Sequence, residues 1–107
     1  MEAYDMGDET KQVEIDWNGG RDTVTLRKLK FGERNDLIQE ATDAKLVGRE
    51  IITRINFGRY KELLLLKAIV KAPFPNSIDS IRGLDADVGD TLYAEAEAIQ
   101  TMEDKKK

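Results

Sequence analysis

Val13-Glu14-Ile15-Asp16-Trp17, then Asn18-Gly19-Gly20-Arg21, then Thr23-Val24-Thr25-Leu26-Arg27, is the stretch that decides how this chain folds. Val13, Ile15 and Trp17 alternate with Glu14 and Asp16, the two-residue period of a strand with one buried face. The next four residues accept positive φ at low cost and turn the chain, after which alternation resumes through Leu26. The pattern predicts a β-hairpin. An isolated hairpin is marginal in water, so Trp17, Val24 and Leu26 must lie against helices supplied by the rest of the chain.

Working outward, residues 1–11 lack apolar periodicity and read as a frayed lead-in, with order beginning near Gln12. After Arg27 the alternation changes phase to Leu29 and Phe31, so the second strand bends or stops there. Glu33 and Asp36 then sit where acids favour the start of a helix, and Leu37, Ile38 and Ala41 share one side, which predicts a helix at about 33–43. Residues 45–57 read two ways. Val47, Ile51 and Ile55 recur every four residues, which favours helix, whereas Ile51, Thr53, Ile55 and Phe57 alternate and are β-branched or aromatic, which favours strand; Gly48 weakens the helical reading. From Arg59 to Ala72 the chain is rich in helix formers and apolar almost all round through Leu63–Leu66, Ile69 and Val70. It predicts the core helix, ending before Pro73.

Asn76 or Ser77 is placed to cap a short helix through Ile78 and Ile81, which Gly83 ends. A last amphipathic helix from about Asp87 carries Val88, Leu92, Ala96, Ile99 and then Met102 or its neighbour on its core stripe. Residues 103–107 read as a flexible tail. The expectation is one α+β domain, mainly helical, with an N-terminal β-hairpin packed on three to four helices and an ordered core at about 12–102.

Composition narrows the function. The 107 residues are 40% hydrophobic and 36% charged, enough apolar content for one core. Cysteine and histidine are both absent, which excludes from this chain disulfides, thiolate metal sites and nucleophilic or zinc chemistries that need a thiol or an imidazole. No run approaches the ~20 apolar residues of a membrane span, and the acidic start is unlike a signal peptide, so a cytoplasmic protein is expected. Residues 17–71 carry twelve Lys/Arg against seven Asp/Glu, between an acidic start and an acidic stretch at 72–104. A basic middle between acidic ends suits self-association or docking on an oppositely charged protein; ordinary solvated faces explain it equally well.

Motifs for catalysis are missing. Asp16 to Gly20 invites comparison with a calcium loop, but the glycine is misplaced and Arg27 stands where a bidentate acid belongs; Asp85, Asp87 and Asp90 also fail the spacing and are explained by a helix start. Neither a phosphate-binding glycine loop nor a nucleophile elbow occurs. No catalytic residue, metal or cofactor is therefore expected. Basic residues from Arg27 through Lys61, interspersed with Phe31, Phe57 and Tyr60, make nucleic-acid binding the rival from a different class, against which stands the acidic pI of about 4.9.

Thr23 to Glu33, with its Leu29-Lys30-Phe31-Gly32-Glu33 junction, the leucine-rich helix before Pro73-Phe74-Pro75, and the Ser77-to-Leu84 step before Leu92 together resemble the tail assembly chaperones of long-tailed bacteriophages and related viruses. The likeness spans residues 13–102 through short, degenerate motifs. It implies a non-enzymatic protein of the host cytoplasm, often oligomeric, that binds the tape-measure protein and the tail-tube subunit during tail morphogenesis. Many such proteins exist in a short and a frameshifted longer form; Lys105-Lys106-Lys107 fits the adenine-rich slip site, as it fits a solubilising tail. A structural connector subunit of the virion is the nearest competing reading. A protein that covers apolar helices needs exposed apolar positions beside charges. Phe57, Tyr60, Phe74 and Tyr93 are the candidate contacts, on a surface built from the last two helices and the Pro-Phe-Pro loop, with core packing the competing role of each aromatic.

Overall fold

The computed structural model describes residues 10–101. Of the lead-in expected over residues 1–11, residues 1–9 lie outside the described residues, as do the place of Met102 and the tail at 103–107. The first hairpin pairs β1 (Thr10–Trp17) with β2 (Gly20–Arg27) in antiparallel register, Val13 opposite Val24 and Trp17 opposite Gly20. Thr10 and Lys11, the end of the expected lead-in, are thus strand residues. The turn needs only Asn18 and Gly19, whose φ angles of 51° and 79° match the two-residue turn that follows the right-handed twist of a hairpin. Gly20 and Arg21 already belong to β2.

β2 stops at Arg27, and α1 (Phe31–Glu40) begins two residues earlier than expected and ends three residues sooner. Of its expected core side, Leu37 is buried, as is Ala41 just beyond the helix, whereas Ile38 is largely exposed. Arg27 and Glu33 form a two-pronged ion pair, both N–H···O distances 2.8 Å, and Glu33 Oε1 also accepts from the Lys30 backbone N–H at 2.9 Å. These donors hold the Glu33 carboxyl down at about 2, with the Arg27 hydrogen bond the largest cause.

The segment 45–57, whose spacing gives helix only a slight preference over strand, falls mainly in a second hairpin: β3 (Thr42–Val47) and β4 (Glu50–Ile55). Gly48 sits in the turn at φ 63°, a conformation a helix interior does not use. Alternation of β-branched residues in β4 overrode the four-residue spacing.

α2 (Phe57–Ala68) buries Leu63, Leu64, Leu65 and Ala68. It ends four residues short of the expected Ala72, because Ile69–Lys71 is a strand, β5, that pairs antiparallel with β2. The Asn76 side-chain amide donates to the Leu66 and Ile69 carbonyls at 3.1 and 3.3 Å, satisfying acceptors that the lost helical turn would have used. Hence the first hairpin is two-thirds of a three-stranded sheet ordered β1-β2-β5, and its helices pack on that sheet. Helices make up 47% of the described residues and strands 34%, so the fold is α+β with less helix than expected.

α3 (Ile78–Arg82) is capped by Ser77, whose hydroxyl accepts from the Ser80 N–H, and stops at Gly83. α4 (Ala86–Thr101) buries Val88, Leu92, Ala96 and Ile99 as expected. It also buries Gln100, 5% exposed and the only polar residue among the described residues to be so enclosed. Gln100 Oε1 accepts from the Leu29 N–H at 2.8 Å and Nε2 donates to the Arg27 carbonyl at 3.0 Å, so the last helix closes the strand-to-helix junction.

Replacing Gln100 by Ala removes the acceptor of the buried Leu29 N–H and a donor to the Arg27 carbonyl, and is expected to cost about 1–3 kcal/mol in urea denaturation. Exposed Thr101→Ala, one residue on, is expected to stay within about 0.5 kcal/mol of the parent. Glu33, lowered from its ordinary 4.5 to about 2, contributes stability that is complete above pH 4.5 and is lost as pH falls toward 2. Screening at this partly exposed pair keeps the contribution at about 1 kcal/mol or less. Denaturation midpoints of Glu33→Gln are expected to be lower than the parent's at pH 6 and to converge with them near pH 2.

Candidate functional site

The body of the protein gathers most of its apolar residues into one core, with Phe31, Ile38 and Val70 left exposed; the β3–β4 arm buries none of its own. Every residue of the arm is exposed except Thr42, which is half-buried. Thr42 stands opposite Ile55, Ala44 opposite Thr53 and Leu46 opposite Ile51, while Asp43, Lys45 and Val47 stand opposite Arg54, Ile52 and Glu50. Residues directly opposite share a face. One face is therefore uncharged throughout, and the other carries all four of the arm's strand charges. Leu46 and Ile51, paired on the uncharged face, are each 71% exposed, and Ile55 also reaches solvent. Monomers rarely leave apolar side chains contiguous in this way without a use for them.

The base of the arm is held while its length is uncovered. The Asn56 N–H donates to the Ala41 carbonyl at 2.8 Å, closing the chain where the arm leaves and re-enters the body. Asn56 Oδ1 accepts from the Arg59 N–H and so caps α2, and Arg59 Nε donates to the Glu40 carbonyl at 2.9 Å. Thr42 Oγ1 donates to the Ile38 carbonyl at 2.6 Å. These bonds tie the end of α1 to the start of α2 and aim the ribbon outward. Along the charged face runs a groove of about 500 Å³ lined by Asp43, Lys45, Val47, Ile52 and Arg54.

The four aromatics expected as contacts fall in three places. Phe57, directly after the arm, is 66% exposed. Tyr60 and Tyr93 are partly buried between α2 and α4 and are brought together around Glu97: the Tyr93 hydroxyl donates to Glu97 Oε2 at 3.0 Å, and Lys61 Nζ lies 5.2 Å over the Tyr93 ring. Burial first, then the Glu97 hydrogen bond, pushes the Tyr93 hydroxyl up to about 12; burial and the Glu97 charge also raise Tyr60. Phe74 is 8% exposed, its ring centroid 5.3 Å from that of Trp17. The Pro-Phe-Pro loop thus turns its aromatic ring inward to cover the hairpin tryptophan, and Phe74 is core.

Sequence reasoning missed Leu46, Ile51 and Ile55 as surface residues. Their signal was the Ile51, Thr53, Ile55 alternation, read as one of two competing periods. Among the basic residues at 27–61, Arg27 is paired with Glu33, Arg59 donates to a carbonyl, Lys61 caps a ring and Arg54 stands opposite Asp43. Among the described residues no three His, Cys, Asp or Glu side chains gather to hold a metal ion, and no helix is long and apolar enough to cross a membrane.

No protein-family model matches this chain, and neither the curated proteins nor the solved structures contain a match to it.

Because Leu46 and Ile51 contribute to no core, the double variant Leu46→Thr, Ile51→Thr is expected to keep its unfolding free energy in urea within about 0.5 kcal/mol of the parent per position. Its retention on a hydrophobic-interaction column and its binding of an apolar dye are expected to fall. A marked loss of stability would show instead that the arm face packs on the body.

Proposed function

We propose that this chain is a non-enzymatic assembly chaperone of a viral tail, which covers apolar segments of the tape-measure and tail-tube proteins until they assemble. The observation that carries the reading is the arm: a ribbon uncharged on one face, uncovered along its length and anchored at its base. Helical tape-measure segments present apolar stripes that aggregate when uncovered, and an extended apolar strip beside charges can shield such a stripe and release it. Phe57, at the foot of the arm, extends the strip toward α2. Tyr93 lines a second groove of about 220 Å³ together with Lys61, Glu62, Leu65 and Leu84, which forms a secondary contact surface.

The resemblance of residues 13–102 to tail assembly chaperones supplies the partner class, and the arm supplies a surface that could serve it. Co-expression with a tape-measure protein from the same genome, followed by affinity purification, tests the reading. The expected result is a soluble complex with the parent chain and at least a tenfold loss of captured partner with Leu46→Thr, Ile51→Thr. No complex, together with salt-sensitive binding to mixed-sequence DNA, would instead favour the nucleic-acid reading, since phosphate contacts weaken steeply as salt rises. Stoichiometric presence in finished particles would favour a structural connector.

A further inference from the structure

Two-stranded ribbons are marginal alone, and three or more strands are needed for independent stability. Among the described residues β3 and β4 pair only with each other, which leaves an outer edge on each. The edge of β4, Glu50-Ile51-Ile52-Thr53-Arg54-Ile55, is made mostly of β-branched residues suited to a sheet interior.

From these observations we infer that β4 pairs antiparallel with β4 of a second copy of this chain, about a two-fold axis through Ile52, so that two arms form one four-stranded sheet. The backbone selects which residues can meet. Val47 and Glu50 close the two-residue turn, so they form a hydrogen-bonded pair, as do Lys45 with Ile52 and Asp43 with Arg54. The backbone groups of Ile51, Thr53 and Ile55 therefore point to the open edge. A second β4 running the other way hydrogen-bonds through these same residues.

Charge then selects the register. With the axis at Ile52, Ile51 bonds Thr53 of the other copy, and each Glu50 comes to stand opposite the other copy's Arg54. These are non-hydrogen-bonded pairs, whose side chains approach most closely. A shift to an axis at Thr53 places Ile52 against Arg54, and one at Ile51 places Glu50 against Ile52; neither matches opposite charges. Complementarity within a single strand, with opposite charges four residues apart about an isoleucine, is a property that another copy of the same strand satisfies. The β3 edge also carries opposite charges, Asp43 and Lys45, but its lysine and alanine are weak strand formers and edge lysine opposes pairing.

The two-fold axis is perpendicular to the sheet, so both uncharged faces lie on the same side and the Leu46, Ile51 and Ile55 strips join into one surface. The two bodies sit at opposite ends of the sheet, where they do not compete for space. This pairing uses the edge of the arm and does not depend on the chaperone reading, which uses its face.

Sedimentation velocity of the full chain over a concentration series tests it. The parent is expected to be a concentration-dependent dimer. Glu50→Arg and Arg54→Glu, each of which sets like charges opposite one another twice in the dimer, are expected to weaken dimerisation by roughly tenfold or more. The combined Glu50→Arg, Arg54→Glu chain, carrying Asp43→Lys so that residue 54 keeps an opposite charge within its own arm, restores the opposite pairs between copies and is expected to recover the dimer. Circular dichroism of each variant checks that the body remains folded. A parent that stays monomeric to its solubility limit, or a combined variant no better than the singles, would overturn the inference. A monomer that still captures a tape-measure segment would leave the chaperone reading standing.

Discussion

The carboxamide of Gln100 is the constraint on which the body depends. Where β2 gives way to α1 the backbone leaves its ladder before the helix begins, and the Gln100 side chain bonds both the Arg27 carbonyl and the buried Leu29 N–H there. A side chain 71 residues away supplies both a donor and an acceptor in the right order, a pairing that neither a carboxylate nor an apolar side chain can provide. The bond therefore fixes the last helix against the first sheet. The Arg27–Glu33 pair works on the solvent side of the same junction, holding the start of α1 while Gln100 holds its interior side.

Around that junction the body completes a core: Val24, Leu26, Leu37, Leu64 and Leu92 are fully enclosed, drawn from the sheet and three helices. Each such side chain contributes roughly 1.5–3 kcal/mol of burial, which makes the body self-sufficient. Nothing comparable supports the arm. Its stability comes from one ladder, one tight turn and the hydrogen bonds at its foot, and its apolar residues remain in water. The described chain therefore packs its body on a core and leaves the arm uncovered.

Much of the body was legible because its elements declare themselves locally. The alternation in 13–27 marked the hairpin and its inward face, Gly83 marked the end of α3 and Asn76 or Ser77 its start, and Val88, Leu92, Ala96 and Ile99 marked the buried stripe of α4. The failures have equally local causes. Leu63 to Val70 satisfy a helix as readily as a helix followed by a strand, and Phe74 carries no sign that Trp17 waits beneath it. At 45–57 two periods coexist, and the one that held belongs to a segment without a core to pack on, where β-branching and the Gly48 turn outweigh spacing. Gln100 left a trace in the sequence: it continues the four-residue series from Val88 through Leu92 and Ala96, a polar residue on an apolar stripe.

By itself the sequence determined the chemistry that this chain's side chains cannot perform, the presence of one core, and which face of most elements turns toward it, because those properties depend on residue type and on periods of two to four residues. Tertiary structure alone decided where α2 yields to a strand, that Phe74 is interior, that Gln100 bridges the junction, and that Leu46 and Ile51 stay in water. Each of these depends on what lies opposite a residue after folding. Ile69 becomes strand because Leu26 offers a ladder, and the arm stays bare because no element of the described chain comes to rest on it.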